Sequence, residues 1–217
     1  MRLAPKQQRL KYLYLLHRLS GEAEPELIHL SKIQQRQGVA IDAGANVGFY
    51  SYAMARIFKR VYSFEANPGI TGDLKSCGLP NVQIFDVGLS STEGHMTLYT
   101  PILHDVHLDG WASLSPGNCP DTHRDSEKTI MVKPLDSWNL TDISFIKIDV
   151  EGHELEVLAG GIQTISSCRP TVLVEVKKRN LESVVKYFDA LGYQGTTLHE
   201  LIGILGSAEN RIFIPKT

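Results

Sequence analysis

The feature that most constrains this chain is the segment Asp42-Ala43-Gly44-Ala45-Asn46-Val47-Gly48 and its flanks. A short apolar run, Val39–Ala43, leads into it, and helical spacing over Val47–Phe58 leads out. A strand that turns tightly through two glycines into a helix is the opening unit of a βαβ series. The same beat follows at once. Val61–Phe64 reads as a strand, Asn67–Cys77 as a helix and Val82–Phe85 as a third strand. After an interruption it returns as strand Phe145–Val150, a helix around Glu154–Leu158, strand Val172–Val176 and helix Leu181–Leu191. Tyr193–Leu198 and Arg211–Ile214 supply two more extended segments, with Gly203 and Gly206 between them. The pattern implies an α/β fold, a parallel sheet covered by helices on both faces with right-handed crossovers.

A chain of 217 residues suits one such domain with a short addition. Residues 1–37 read as an N-terminal helical appendage, with helices over 2–19 and 25–36 broken at Gly21, and Pro25 at a first-turn position. Residues 38–217 read as the main domain. The polar stretch 101–128, between extended segments Met96–Tyr99 and Ile130–Val132, reads as a loop covering a substrate site. Trp111 within it offers a stacking surface.

Composition narrows the function classes. The net charge of -2 argues against a general nucleic-acid binder, and Lys177-Lys178-Arg179 reads as solvated surface. Lys6, Arg9 and Lys11 before Tyr12–Leu16 imitate a signal peptide, but the apolar run is short and interrupted by His17 and Arg18. An amphipathic helix packed on the domain is the expected reading, with contact to a membrane surface the alternative. The three cysteines, Cys77, Cys119 and Cys168, fit no zinc or disulfide pattern. A cytoplasmic location is expected.

The Asp42–Gly48 loop marks a cofactor site. Gly44 and Gly48 permit a tight turn and close backbone approach, and the helix start offers N–H groups to a ligand. Asp42 can reach a cationic amine or orient the loop. Glu65, at the end of the next strand, can accept hydrogen bonds from a ribose diol. Asn46 stands where a dinucleotide-binding G-x-G-x-x-G needs its second glycine, so S-adenosylmethionine, which has no pyrophosphate, fits better than NAD. A dinucleotide-binding oxidoreductase and a non-catalytic binding protein that kept the fold are the rival readings. After the third strand, Asp86 can accept from an adenine amine while Val87 covers a base face.

The second chemical segment is Ile146-Lys147-Ile148-Asp149-Val150-Glu151-Gly152-His153-Glu154. Strand alternation puts Lys147 and Asp149 on one side, as an ion pair at the carboxyl end of a central strand. Asp149, His153, Lys147 and Glu151 are the catalytic candidates, with His153 or Asp149 receiving a proton. Glu154 is expected to cap the turn or brace the cofactor loop. Glu175, ending the next strand, can face Asp149. Two carboxylates there could start a Mg²⁺ site, but only two ligands are visible, and no metal is assigned. His104, His107, Cys119 and His123 follow no zinc spacing.

With these residues in view, the chain resembles the FkbM family of methyltransferases. The matching stretches are VAIDAGANVGFYS (39–51), VYSFEANP (61–68), NVQIFDVGLS (81–90), VKPLDSW (132–138), FIKIDVEGHELEVLAGG (145–161) and RPTVLVEV (169–176). The resemblance spans about residues 25–200. It implies a Rossmann-like class I methyltransferase fold, three-layer αβα, with a mostly parallel seven-stranded sheet whose last strand is antiparallel. It also implies S-adenosylmethionine as cofactor and O-methylation of a hydroxyl on a small natural product, sugar or glycolipid. Asp42, Gly44, Asn46 and Gly48 would form the methionine-side loop and Glu65 would hold the ribose. Lys147, Asp149, Glu151 and Glu154 would belong to the family's second motif. Two departures are small: Ala66 stands where many members carry Pro, and Ala43 where Val or Ile is common.

Overall fold

The computed structural model describes residues 5–103, 106–107, 112–114 and 124–216. Its strands are β1 Val39–Ala43, β2 Arg60–Phe64, β3 Val82–Phe85, β4 Gly88–Leu89, β5 Gly94–Leu103, β6 Val106–His107, β7 Arg124–Lys133, β8 Ile143–Ile148, β9 Thr171–Glu175, β10 Tyr193–Thr196 and β11 Asn210–Pro215. Its α-helices are α1 Lys6–Ser20, α2 Pro25–Ile28, α3 Leu30–Ile33, α4 Phe49–Met54, α5 Gly72–Cys77, α6 Glu154–Gly160, α7 Ile162–Cys168, α8 Lys178–Ala190 and α9 Leu198–Ile202.

Seven strands form the main sheet in the order β10-β11-β9-β8-β1-β2-β3. β3, β2, β1, β8 and β9 are parallel, and β11 runs antiparallel between β9 and β10. This is the α/β class I methyltransferase topology, with the last strand of the chain reversed. Strand alternation divides the core. Ile41, Ala43, Ile146, Ile148, Val172 and Val174 face one layer with Val157, Leu158, Ile165 and Phe188 of α6, α7 and α8. Ala40, Phe145, Leu173 and Ile212 face the other with Tyr50, Met54 and Leu198. The period of two along each strand therefore builds three layers.

Part of the N-terminal segment belongs to that second layer. Leu27, Leu30 and Ile33 are at most 3% exposed within it. Burying each contributes about 1.5–3 kcal/mol, so together they match much of a domain's net stability of about 5–15 kcal/mol. Two buried or half-buried carboxylates add polar ties. Glu26 accepts from the Ser207 N–H at 3.0 Å, and Glu24 accepts from Tyr50 Oη at 2.8 Å and Asn210 Nδ2 at 2.9 Å.

Three helices are shorter than the sequence pattern suggests. The expected 25–36 helix is interrupted at His29, whose backbone leaves helical geometry. The expected 47–58 helix is regular only over Phe49–Met54, because Asn46 and Gly48 adopt left-handed φ of 51° and 98°. The expected 67–77 helix starts at Gly72, since the Asn67 side chain accepts from the Gly69 N–H at 3.1 Å and closes a turn there. The stretch 101–128 is not loop throughout. β5 and β7 pair antiparallel from Gly94↔Val132 to Ile102↔Arg124, and β4, β7, β5 and β6 make a second sheet of four strands. Pro101 and the polar run 125–128 disguise this ladder, because half of a sheet's residues can face water.

Candidate active site

The turn after β1 is held by its own backbone and by Glu65. Gly44 has φ 81°, and a Cβ there would collide with the carbonyl oxygen of Asp149. Only glycine lets the two turns that follow β1 and β8 approach this closely. The Asn46 N–H donates to Glu65 Oε2 at 2.7 Å, and the Asn67 N–H donates to Glu65 Oε1 at 2.7 Å. Each carboxylate oxygen retains a second acceptor site. Burial raises the Glu65 carboxyl above its ordinary value despite these two donors.

Asp42 lies deeper. It is fully buried, and its Oδ2 accepts from Ser51 Oγ at 2.6 Å, which in turn meets Ser63 Oγ at 2.7 Å. It thus ties β1 to α4 and β2. Its Oδ1 has no hydrogen-bond partner among the described residues. Burial raises its carboxyl, with Lys147 opposing.

A cleft opens beside this turn, with about 590 Å³ of empty space that is continuous with solvent. Gly44, Asn46, Phe64, Glu65, Ala66 and Ile70 line one side, and Gly88, Leu89, Asp149, Val150 and Glu151 continue it. Leu98, Ala112 and Leu114 from the second sheet and its insertion close it over. The Ser113 backbone pairs with Tyr99 in both directions, and Ser113 Oγ donates to the Glu151 carbonyl at 2.7 Å. The described part of the 101–128 stretch is therefore fastened to the turn after β8. Trp111, His104, Cys119, His123 and the His107 side chain lie outside the described residues.

Neither Asp86 nor Val87 is among the lining residues. The Asp86 carboxylate is half-exposed and pairs with Lys75 Nζ of α5 at 2.6 and 2.7 Å. The third-strand turn reaches the cleft through the next two residues, Gly88 and Leu89, which sequence reasoning passed over. A glycine followed by a leucine just past the strand end was the available signal.

The second segment converges as its alternation implied. Lys147 Nζ donates to Asp149 Oδ2 at 2.8 Å and lies 4.7 Å from the Tyr50 ring centroid. Burial alone would lower the Lys147 ammonium. The charges of Asp149 and Asp42 outweigh it and raise the ammonium, so the lysine stays charged. Glu151, at φ 53°, pairs with Lys177 Nζ at 3.0 Å. Glu154 is buried and braces the turn, accepting from the Gly152 N–H at 2.6 Å and from Asn180 Nδ2 at 3.3 Å. His153 points elsewhere. It is 4% exposed, its Nε2 lies 3.0 Å from Ser90 Oγ, and it does not line the cleft. Burial lowers its pKa, with Glu156 partly opposing.

Carboxylate oxygens of Asp149, Glu151 and Glu175 lie within 4.8 Å of one another. Asp149 and Glu151 each have a lysine. Among the described residues no lysine or arginine lies within ion-pair distance of Glu175. Burial, then the charges of Asp149 and Glu24, push its carboxyl up to about 8. Glu24 entered this neighbourhood without any sequence signal, from a segment far along the chain.

Residues 42–195 match the Methyltransferase FkbM domain. The chain belongs to the FkbM methyltransferase family. That places it among the S-adenosylmethionine-dependent methyltransferases. The hexuronic acid methyltransferase AglP of Haloferax volcanii is 28% identical over 178 residues, covering 78% of this chain and 68% of that protein. The crystal structure of a methyltransferase FkbM from Methylobacillus flagellatus superimposes with a TM-score of 0.61 at 17% identity, over 98% of this chain. The present chain spans 56% of that one. A TehB-like S-adenosylmethionine-dependent methyltransferase from Corynebacterium glutamicum gives a TM-score of 0.50 at 10% identity, over 95% of this chain and 97% of the other. Both structural likenesses speak for the fold. No helix among the described residues is long and apolar enough to cross a membrane.

Proposed function

We propose that this FkbM-family chain O-methylates a hydroxyl of a small organic or carbohydrate acceptor, using S-adenosylmethionine held in the cleft beside Gly44 and Glu65. The carrying observation is that one cleft joins the Gly44–Glu65 turn to the carboxylates of Asp149 and Glu151. Its donor set fits the cofactor. Glu65 offers free lone pairs for a diol, Gly44 and Asn46 offer close backbone, and Ala66, Ile70 and Leu89 offer an apolar wall for a base. Asp42 acts through the loop, by fixing Ser51 at the start of α4.

S-adenosylmethionine supplies an activated methyl group. The chain must then orient the acceptor oxygen and take its proton. Asp149 lines the cleft and accepts a hydrogen bond from the charged Lys147, which fixes its carboxylate to hold the acceptor hydroxyl. Glu175 does not line the cleft itself, but its carboxylate lies within 4.8 Å of those of Asp149 and Glu151, which do. It has no lysine or arginine at ion-pair distance among the described residues, and in this reading it receives the proton by way of Asp149. A base near neutral pKa combines availability with driving force. Lys147 offsets part of the negative charge that Asp149 and Asp42 carry before the proton arrives. His153, turned toward Ser90, supports the turn. The carbohydrate reading draws on the name of the Haloferax relative, and the covering second sheet supports an enclosed acceptor site.

The test has two stages. Calorimetry with S-adenosylhomocysteine and with NAD comes first, followed by transfer of radiolabelled methyl from S-adenosylmethionine to a panel of hexoses, hexuronic acids and polyols. Binding of the sulfur cofactor and label on a hydroxyl are expected. Binding of NAD alone would overturn the cofactor assignment. Cofactor binding with label only on nitrogen or carboxylate oxygen would overturn hydroxyl methylation.

A further inference from the structure

Helix α1 carries two apolar stripes on opposite faces. One is docked. Leu10 is fully buried against Tyr52 and Leu74, Tyr14 lies 5.0 Å from the Tyr52 ring, and His17 stacks on Phe49 at 4.7 Å. These residues follow the i, i+4, i+7 spacing of one helix face. The other stripe is Tyr12, Leu15, Leu16 and Leu19, at i, i+3, i+4 and i+7. These side chains are 47, 49, 61 and 74% exposed. At 3.6 residues per turn, a shift of two positions places this stripe roughly opposite the docked one. It gathers four of the seven large hydrophobics that stand exposed among the described residues, so the exposure is concentrated rather than scattered.

The charge on the same helix is one-sided. Lys6, Arg9, Lys11 and Arg18 are all exposed, and α1 contains no Asp or Glu, in a chain whose net charge is -2. Lys11 and Arg18 run along one flank between the two stripes, while Arg9, on the other flank, reaches Asp73 of α5 at 3.2 Å.

We propose that the free face of α1 docks on an anionic lipid bilayer surface, with Tyr12, Leu15, Leu16 and Leu19 entering the interface and Lys11 and Arg18 meeting the headgroups. An interfacial helix needs this combination: aliphatic and aromatic side chains to bury, and cations at the level of the lipid phosphates. A second copy of the chain is the poorer occupant. A symmetric contact would set Lys11 and Arg18 against their own copies, with no acidic residue of α1 to relieve them. The docked face already fixes the helix to α4 through Tyr14, His17 and Phe49, so lipid binding would seat the folded domain and not only a tether.

The experiment is flotation of the full chain with vesicles of phosphatidylcholine, alone or mixed with phosphatidylglycerol. Two variants accompany it. In one, Leu15→Gln, Leu16→Gln and Leu19→Gln are combined, and in the other Lys11→Gln and Arg18→Gln. All sites are exposed, and circular dichroism and the denaturant midpoint verify that the fold is kept. The full chain should float with the mixed vesicles and less with phosphatidylcholine, and high salt should weaken it. The leucine variant should lose about tenfold or more in partitioning, and the basic variant should lose its preference for the anionic lipid. No flotation with mixed vesicles at millimolar lipid would overturn the proposal, as would a leucine variant that floats as well as the parent. A dimer of the parent that the leucine variant dissociates, without lipid binding by either, would assign the face to a second copy.

Discussion

Replacing Glu175 by Gln isolates one buried charge without changing side-chain shape. Glu175 titrates near 8 in the fold against an ordinary value of 4.5. A folded-state pKa above the unfolded one means the native state binds the extra proton between those two pH values. Stability from this group is therefore complete below about pH 4.5 and lost as pH rises through about 8. At about 1.36 kcal/mol per pH unit the ceiling of that loss is about 5 kcal/mol. Glu175 is only partly buried, so solvent screening reduces the expected loss to the order of 2 kcal/mol. The assay is urea unfolding of parent and Glu175→Gln from pH 4 to 9, read as the difference between them, which cancels the shared titrations of Glu65, Glu154 and Asp42. The variant should equal or fall slightly below the parent at low pH and exceed it at high pH. Activity should move oppositely. At pH 7 about one tenth of the parent's Glu175 is ionised, so methyl transfer should climb with pH through a midpoint near 8 and level off above about pH 9. Glu175→Gln should lose about 10²-fold and that slope. A stability difference that does not change with pH, together with a surviving acidic limb in the variant, would refute both the raised pKa and the role as proton acceptor.

Glu65→Ala should weaken S-adenosylhomocysteine binding by about 1–3 kcal/mol in calorimetry, since a charge-assisted acceptor lining the cleft disappears and the Asn46 and Asn67 N–H groups lose their partner; unchanged affinity would move the ribose contact elsewhere. Gly44→Ala should lower the thermal midpoint and abolish cofactor binding, because the new methyl meets the Asp149 carbonyl and φ 81° is strained for alanine; a variant that binds normally would show that the two turns separate freely. His153→Ala should cost about 1–3 kcal/mol in urea unfolding through the orphaned Ser90 contact, while the acidic limb of the rate profile persists; disappearance of that limb would restore His153 as the base.

The sequence alone carried the local chemistry and the order of elements. Gly44, Asn46 and Gly48 announce their turn because positive φ is a property of single residues, and all three have it. Lys147 and Asp149 announce their pairing because a strand's period of two puts them on one side, and they meet at 2.8 Å. Repetition of strand and helix fixes a parallel sheet by connectivity. The reversed β11 and the seven-strand count came from likeness to a family rather than from any residue.

Tertiary structure decided what crosses between elements. Glu175 meets Asp149 and Glu151 because β9 lies beside β8, and Glu24 joins them because α2 folds over the same edge. His153 follows Asp149 closely in sequence. Glu151 and Gly152, at φ 53° and 96°, reverse the chain between them and send the imidazole to Ser90. Asp86 and Lys75 choose each other across a helix and a strand end, and β5 and β7 carry the extended segments Met96–Tyr99 and Ile130–Val132 on into residues 101–103 and 124–128, which read as loop. A residue's conformational preferences and its neighbours along the chain are written in the sequence. The charges it faces, and therefore its proton affinity and its role, depend on which strands lie side by side.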